Sequence, residues 1–583
     1  MSIECGASYA YYDNVTFHSV PDAFDAVMDV VLQLGPQYGY ELNMSKTKVL
    51  LGARASRELA LERKQQLMER YGLPDNCVRI HPDNCTDDTE KDKFGLALLG
   101  GYVGHPGFIR AGLQEKIIQL TEEKQLLIHY GQLQNRFVLL LRSFTRKFNH
   151  LLRTTRPDFI RDFAEQFDQL KKEVVESVTS LNKTPLDAKT WRQMGLKVND
   201  GGLGLISSAD VISPAYIAGI VAAFPSLPEA LQDELRSDNG PPVVYPELVR
   251  AFKLEVQLIE ERTYDRIPIA SLFTNINYAD KGGRLQESLQ DKIYEKALHK
   301  FKQEVIPTMS KSRKAIYMST CSQSASAWLT VVPHREELRM ISEHFQAALC
   351  HRYHLDQPSI SVNLRCTCKK GAIIDAKGVH IQQFCGLEGW RHDTHNVIAH
   401  VLANIMRGAG CIVRTEQRIC PDNGRRSDCS TNQNPLSPEP LHIDVMVTGV
   451  HPEVGDKLSN AKALIQGRAA EAGYQFKMND YGELPIQNNF HFLPFIVENH
   501  GLIHSHSLKL IEVLASKAEL TWRLPSKIIF EYWLKLLSVT LHRAMANSIV
   551  SRARSITCGI ASKGSTWKPI VPEEIRAYVH MDR

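Results

Sequence analysis

The sequence predicts a multidomain α+β protein, and three observations carry that reading. The chain has 583 residues, too many for one hydrophobic core. Short strand-like runs are confined to its first hundred and last two hundred residues, with a long helix-periodic stretch between them. A Cys/His group, Cys366, Cys368, His380 and Cys385, introduces the second strand-bearing region. The composition, 43% hydrophobic and 23% charged, is that of an ordinary globular chain and excludes wholesale disorder. A net charge of +4 is too small to announce a partner, so affinity for nucleic acid must come from local basic patches. The N-terminus lacks a basic segment followed by an apolar one, and no run of about 18 apolar residues occurs, which predicts an intracellular chain with no membrane partner. In that setting the twelve cysteines read as free thiols or metal ligands.

Taken in order, SYAYYDNVTF reads as two strands around Asp13 and Asn14, followed by a helix (DAFDAVMDVVLQL) and a strand (KTKVLLG). An acidic residue at a hairpin tip is how palm-type polymerases hold a carboxylate beside two metal ions; Asp-Asn is equally a turn dipeptide. Residues 57–71 read as a helix, and the polar stretch 73–92 as a loop. From residue 109 to about 180 the pattern is helical. Arg136, Arg142, Arg146, Lys147, Arg153 and Arg156 there either track phosphates or form a solvated face. Residues 199–223 open with Gly-Gly-x-Gly, but without the Lys-Ser/Thr of a phosphate loop they read as a turn into a packed helix. Residues 240–310 are helical, and Trp328 in SASAWLTVVP reads as core.

The Cys366-x-Cys368-x11-His380-x4-Cys385 order supplies three thiolates and an imidazole, the set that structural zinc prefers. The alternative is a pair of buried thiols with a surface histidine, and His392 and His395 are nearby substitutes for the fourth ligand. Lys369, Lys370 and Lys377 flank the group and suit phosphate contact. RHDTHNVIAHVLANIMRGAG is an amphipathic helix ended by glycines; CIVRTEQRI, RRSD and LHIDVMVTG read as strands or strand ends. Asp428 after the basic pair Arg425 and Arg426, with Asp444 on a neighbouring strand, can together hold a divalent cation that activates water against a phosphodiester. A solvent turn is the alternative at Asp428. Asp444, between Ile443 and Val445, carries a desolvation cost unless paired or metal-bound.

In sequence order these motifs resemble the C-terminal portion of non-LTR retrotransposon reverse-transcriptase proteins. YYDN is similar to the Tyr-x-Asp-Asp box, ELNMSKTKVLLG to the Leu-Asn-x-x-Lys motif, FGLALLGGYVG to the primer-grip turn, and GGLGL and ASAWL to connector segments. The C-terminal third resembles a Cys-Cys-His-Cys knuckle followed by a restriction-endonuclease-like domain of the PD-(D/E)xK superfamily. Arg391 and His392 match the family's Arg-His box, Asp428 and Asp444 its two acids, and HFLPFIVENHG its later strand, which makes Glu498 an auxiliary acid. The resemblance implies a truncated polymerase palm over 1–108, a helical thumb-like region over 109–185 and a mainly helical connector over 186–355. It places the zinc knuckle at 356–390 and a restriction-endonuclease-like α/β domain with closing helices at 391–583. It implies Zn²⁺ at the knuckle, Mg²⁺ or Mn²⁺ at the acids, DNA and RNA as partners and a nuclear location; it leaves the oligomeric state open.

The departures from the family pattern bear on activity. Asn14 stands for the second Asp of the palm box, and the fingers and first palm strand would lie upstream of this sequence, so the polymerase is expected to be incomplete. Ser427 replaces the proline before Asp428, and Met446 stands where the superfamily carries the lysine that orients the nucleophile. Some members carry that lysine on the following helix, and Lys462 is the nearest candidate. The loop NQNPLSPEP between the acids is long enough to displace them. The expected function is thus a retrotransposon-derived nucleic-acid-binding protein with a metal-dependent endonuclease domain, the alternative being a catalytically dead, domesticated binding or scaffold protein.

Overall fold

The computed structural model describes residues 7–11, 14–18, 21–39, 41–52, 56–179, 186–237, 241–274, 282–361, 363–368, 371–385, 389–419, 425–451 and 462–558. It mixes helix with small sheets and divides into two compact units, Met1–Ile117 with Thr154–Ile160, and Ile118–Arg153 with Arg161–Arg583.

In the first unit β1 (Ala7–Tyr11) and β2 (Asn14–His18) pair antiparallel with Tyr11 opposite Asn14. Asp13 lies outside the described residues. Further on, β3 (Val49–Leu51) and β4 (Val78–Ile80) are parallel, so the chain must cross over between them, and the helix Arg57–Tyr71 does so. That helix starts on Ser56, whose hydroxyl accepts from the Leu59 amide, and stops at Gly72 with φ +68°. Leu67 and Tyr71 on its inner face meet Met28, Val49 and Val78 in a small core. β4 falls inside the stretch read above as a loop: three residues give one apolar–polar–apolar alternation, too short a signal against the surrounding Asp, Asn and Pro. β5 (Gly95–Leu98) and β6 (Gly101–Gly104) form a hairpin whose two-residue tip, Leu99 (φ +48°) and Gly100 (φ +81°), takes the left-handed pair that matches strand twist.

The second unit is helical as far as Arg352. Among the described residues one helical stretch, Ser208–Ser226, is long and apolar enough to cross a membrane, with mean hydropathy 1.3. It packs inside the protein instead, its Ile217 sharing a core with Phe252, Ile259 and Leu289 of the helices Pro246–Thr263 and Gly282–Glu304. An all-round apolar helix at the centre of a bundle has this composition for that reason. The Gly-rich segment before it is a turn, with Gly201 at φ +82° and Gly204 at φ +76°. Carbonyls at this turn point inward: the buried Arg352 guanidinium donates to Val198 O and Gly202 O, and also to Thr320 O of the helix Lys311–Thr320. A phosphate site needs converging N–H groups, and this loop presents acceptors to a cation. Trp328 is fully buried, stacked on His542 at 4.8 Å.

A four-stranded sheet ends the second unit, in the order β10 (His491–Glu498), β9 (Leu441–Thr448), β8 (Arg426–Thr431), β7 (Arg414–Arg418). β9 and β10 are parallel, and the other pairs are antiparallel. The helix Gly389–Gly408 packs on β8 and β9, and the helix Arg468–Tyr481 on β9 and β10. Along β9, Leu441, Ile443 and Val445 are buried, while Asp444 and Met446 alternate to the other face, as strand pleating requires.

Candidate metal centres and their surroundings

The knuckle is built by a tight turn and a single π-helical turn. Cys366 N donates to Ala372 O and Gly371 N to Cys368 O, folding the chain so that both thiols face one way. Asp375 then accepts from the amides of Lys377, Val379 and His380, which starts the π turn His380–Phe384 and sets His380 and Cys385 at its two ends. All four side chains are buried, and their ligand atoms lie within 4.8 Å of one another. Cys366 Sγ and Cys385 Sγ are 3.6 Å apart, as are Cys368 Sγ and His380 Nε2. A tetrahedron with zinc–sulfur and zinc–nitrogen bonds of about 2.3 and 2.0 Å has edges of roughly 3.5–3.8 Å, so these two edges fit a metal without rearrangement. Arg552, from the helix Ser526–Cys558, donates to Cys366 Sγ at 3.6 Å and Thr367 Oγ1 at 2.5 Å, setting a positive charge beside the thiols. The described cysteines form no disulfide. His392 is exposed, and His395 belongs to a different cluster, so neither replaces His380.

The second cluster is His395, Asp428 and Asp444, again within 4.8 Å of one another and all partly buried. The register explains it. β8 and β9 pair from Thr431↔Leu441 to Cys429↔Ile443, and one further step would oppose Asp428 and Asp444. The ladder stops there. Asp428 Oδ2 accepts from the Val445 amide at 2.6 Å, taking over the bond a backbone carbonyl would make. On the other side the β7–β8 pairing skips Glu416 and Asp428, and Glu416 carries φ +52°. A left-handed non-glycine residue in mid-strand is a local strain, placed directly opposite the acid it frees. The inserted loop does not displace the acids: Asn434 folds it back by donating to Ser437 Oγ and Glu439 O.

Each acid has a cationic partner. His395 Nε2 lies 3.1 Å from Asp428 Oδ2, and that carboxylate pushes the imidazole up to about 9. Lys477 Nζ lies 3.1 and 2.9 Å from the two oxygens of Asp444, and Tyr481 Oη donates to Oδ2 at 2.8 Å. Burial raises the Asp444 carboxyl, opposed by Lys477. Lys477 and Tyr481 sit four residues apart on the helix Arg468–Tyr481 and so share a face. That face approaches β9 closely at Gly473, where an added Cβ would lie 3.2 Å from Ile496 and 3.3 Å from the Met446 sulfur.

Among the residues the sequence singled out, the structure brings together Asp428 and Asp444 and, separately, the four knuckle ligands. Glu498 does not join the acids: Pro494 is opposite Asp444, and four residues of strand put Glu498 about 13 Å further along. It is buried and accepts from the Ala470 amide at 2.9 Å. Lys462 opens a short 3₁₀ turn and its side chain lies outside the description, so the lysine found at the acids is Lys477. The signal for Lys477 was a lysine one turn before a tyrosine on the helix after the Asp444 strand. That of His395 was its place three residues after His392.

Lys369 and Lys370 are outside the described residues, as is the side chain of Arg391, whereas Lys377 pairs with Asp356 at 3.1 Å. Arg425 holds Asp480 at 3.1 Å, and Arg426 is exposed on β8 opposite Arg418, which gives the outer hairpin a basic edge with Arg414. In the helical region Arg136 is buried and donates to Tyr130 O and Ser177 Oγ, a structural role that corrects its reading as a phosphate contact. Arg142 donates to Thr330 O, Lys147 pairs with Glu123 at 2.6 Å, Arg153 donates to Gln286, Arg156 pairs with Asp158, and Arg146 is exposed. Neither protein-family models nor curated proteins match this chain.

Proposed function

We propose that this chain is a retrotransposon-derived nucleic-acid-binding protein whose C-terminal sheet carries a metal-dependent DNA endonuclease centre, with Zn²⁺ in the knuckle. The observation that carries the reading is the convergence of Asp428, Asp444 and Lys477: two acids on adjacent strands, with a lysine from the neighbouring helix on the second. Asp428 and Asp444 would hold the Mg²⁺ or Mn²⁺, and His395, the imidazolium partner of Asp428, would join them only after giving up its proton. Their oxygen-rich, partly open set suits a hard cation. Such an ion, when bound, supplies a polarised water and offsets charge on the scissile phosphate.

The chain's own residues do the rest. Lys477 offers an ammonium beside Asp444 that can stabilise negative charge developing on the phosphate, the part Met446 cannot play. Tyr481, stacked on Phe492 at 3.7 Å, fixes the orientation of Asp444. Arg414, Arg418 and Arg426 on the exposed edge provide the sequence-independent phosphate contacts that bring a duplex to the acids. The presence of Lys477 favours an active centre over the dead, domesticated alternative. The N-terminal hairpin and Leu-Gly turn fit a palm remnant that binds RNA or a hybrid.

The test is nicking of supercoiled plasmid by the purified chain in Mg²⁺ or Mn²⁺, beside Asp444→Ala. Cation-dependent nicking abolished by the substitution supports the endonuclease; equal cutting by both proteins, or by neither, removes it.

A further inference from the structure

A third cluster lies apart from both centres. His351 is the penultimate residue of the helix Ser342–Arg352, His451 follows the C-terminal end of β9, and His500 follows the C-terminal end of β10. Their exposures are 4%, 4% and 1%, and one ring nitrogen of each lies within 4.8 Å of the others. His351 and His500 are stacked with centroids 3.9 Å apart, and His451 approaches them at 6.5 and 5.7 Å.

What marks this cluster is unmet bonding. Among the described residues His351 Nε2, His500 Nε2 and both nitrogens of His451 have no hydrogen-bond partner. A buried polar atom left so has lost its hydration with nothing in exchange, and four such atoms meet in this one cluster. Protonation offers no relief, because burial and the mutual proximity of the rings disfavour the imidazolium. Neutral imidazoles with free lone pairs are the form that ligates borderline transition metals.

We propose that His351, His451 and His500 form a second zinc-class metal site, distinct from the knuckle, that clamps the end of the connector helix to the C-terminal ends of the two parallel strands. Three imidazoles leave one position for water or an external ligand. Nitrogens around a tetrahedral ion stand roughly 3.3 Å apart, and two stacked rings cannot both aim lone pairs at one point. Ligation therefore turns His351 or His500 out of the stack.

The experiment measures zinc per chain in the full protein after saturation and dialysis, for the wild type, His451→Gln, Cys366→Ser/Cys385→Ser and His395→Asn/Asp444→Asn. The expected result is one equivalent fewer in His451→Gln, with the cobalt-substituted protein keeping its thiolate-to-metal absorption, which shows the knuckle intact. The knuckle variant loses that absorption and retains the equivalent that His451→Gln loses. The acid-pair variant retains it too. Zinc X-ray absorption of the wild type gives a readout that needs no variant: a second, all-nitrogen site lowers the mean sulfur coordination from three toward about one and a half. The same zinc content in His451→Gln as in wild type, or a mean sulfur coordination of three, overturns the proposal and leaves buried water as the partner of these nitrogens.

Discussion

The knuckle and the acid pair are both clusters of ligating side chains within 4.8 Å, yet their surroundings are opposite. In the knuckle the four side chains are buried, two ligand–ligand edges already have tetrahedral length, and the Arg552 guanidinium lies beside the Cys366 thiol. At the acid pair each carboxylate is held by a protein cation, His395 or Lys477, and the groups are partly open. The first has the geometry of a cage that would close around an ion and keep it. The second is charge-balanced without metal, so an ion entering it must compete with its own protein and can leave again. Structural and catalytic metal sites divide along this line.

The largest effect that would break the comparison is loss of the knuckle. Cys385→Ser, or strong chelation, should remove the ion, expose amides over 364–385 to hydrogen exchange and lower the melting temperature, while chelation leaves protection of β8 and β9 unchanged. Next comes Lys477→Met, which keeps length but removes charge. It should reduce nicking by about 10²–10³-fold with little change in plasmid binding; unchanged nicking would leave Met446 without a substitute.

A smaller effect is expected from Arg552→Met, which should weaken zinc retention by about 10–100-fold in competition with a chelator, as loss of a neighbour of a ligand does. The smallest is a pH effect. His395 rises from 6.5 to about 9 on folding, so the Asp428 pair contributes fully below pH 6.5 and is lost as pH climbs through about 9. With chelator present, denaturant unfolding of wild type and His395→Asn should differ by on the order of 1–2 kcal/mol at pH 6 and converge near pH 10.

The two centres also differ in how far they could be read. Four ligands in the knuckle lie within twenty residues, so their spacing announced the cluster, and local turns assemble it. The acids are separated by one strand connection; their residue types and the family resemblance singled them out, and the sheet register brought them together. Lys477, thirty-three residues beyond Asp444, could not be chosen over Lys462 from spacing, because the choice depends on which face of a helix meets the sheet and on Gly473 letting it approach. Glu498 shows the reverse failure. The strand was read correctly, but a parallel register, fixed only when β10 lies beside β9, slides that acid four residues past the site.

Sequence alone determined the mixed class and the order of helical and strand-bearing regions, which follow from local periodicity, and it singled out the knuckle residues and the acid pair by spacing together with the family resemblance. The tertiary structure alone decided the lysine, the histidine partner of Asp428, the exclusion of Glu498, the inward role of Arg136 and Arg352, and the meeting of His351, His451 and His500. Those outcomes depend on distant segments brought together by packing, and no local pattern encodes which buried side chains will face each other.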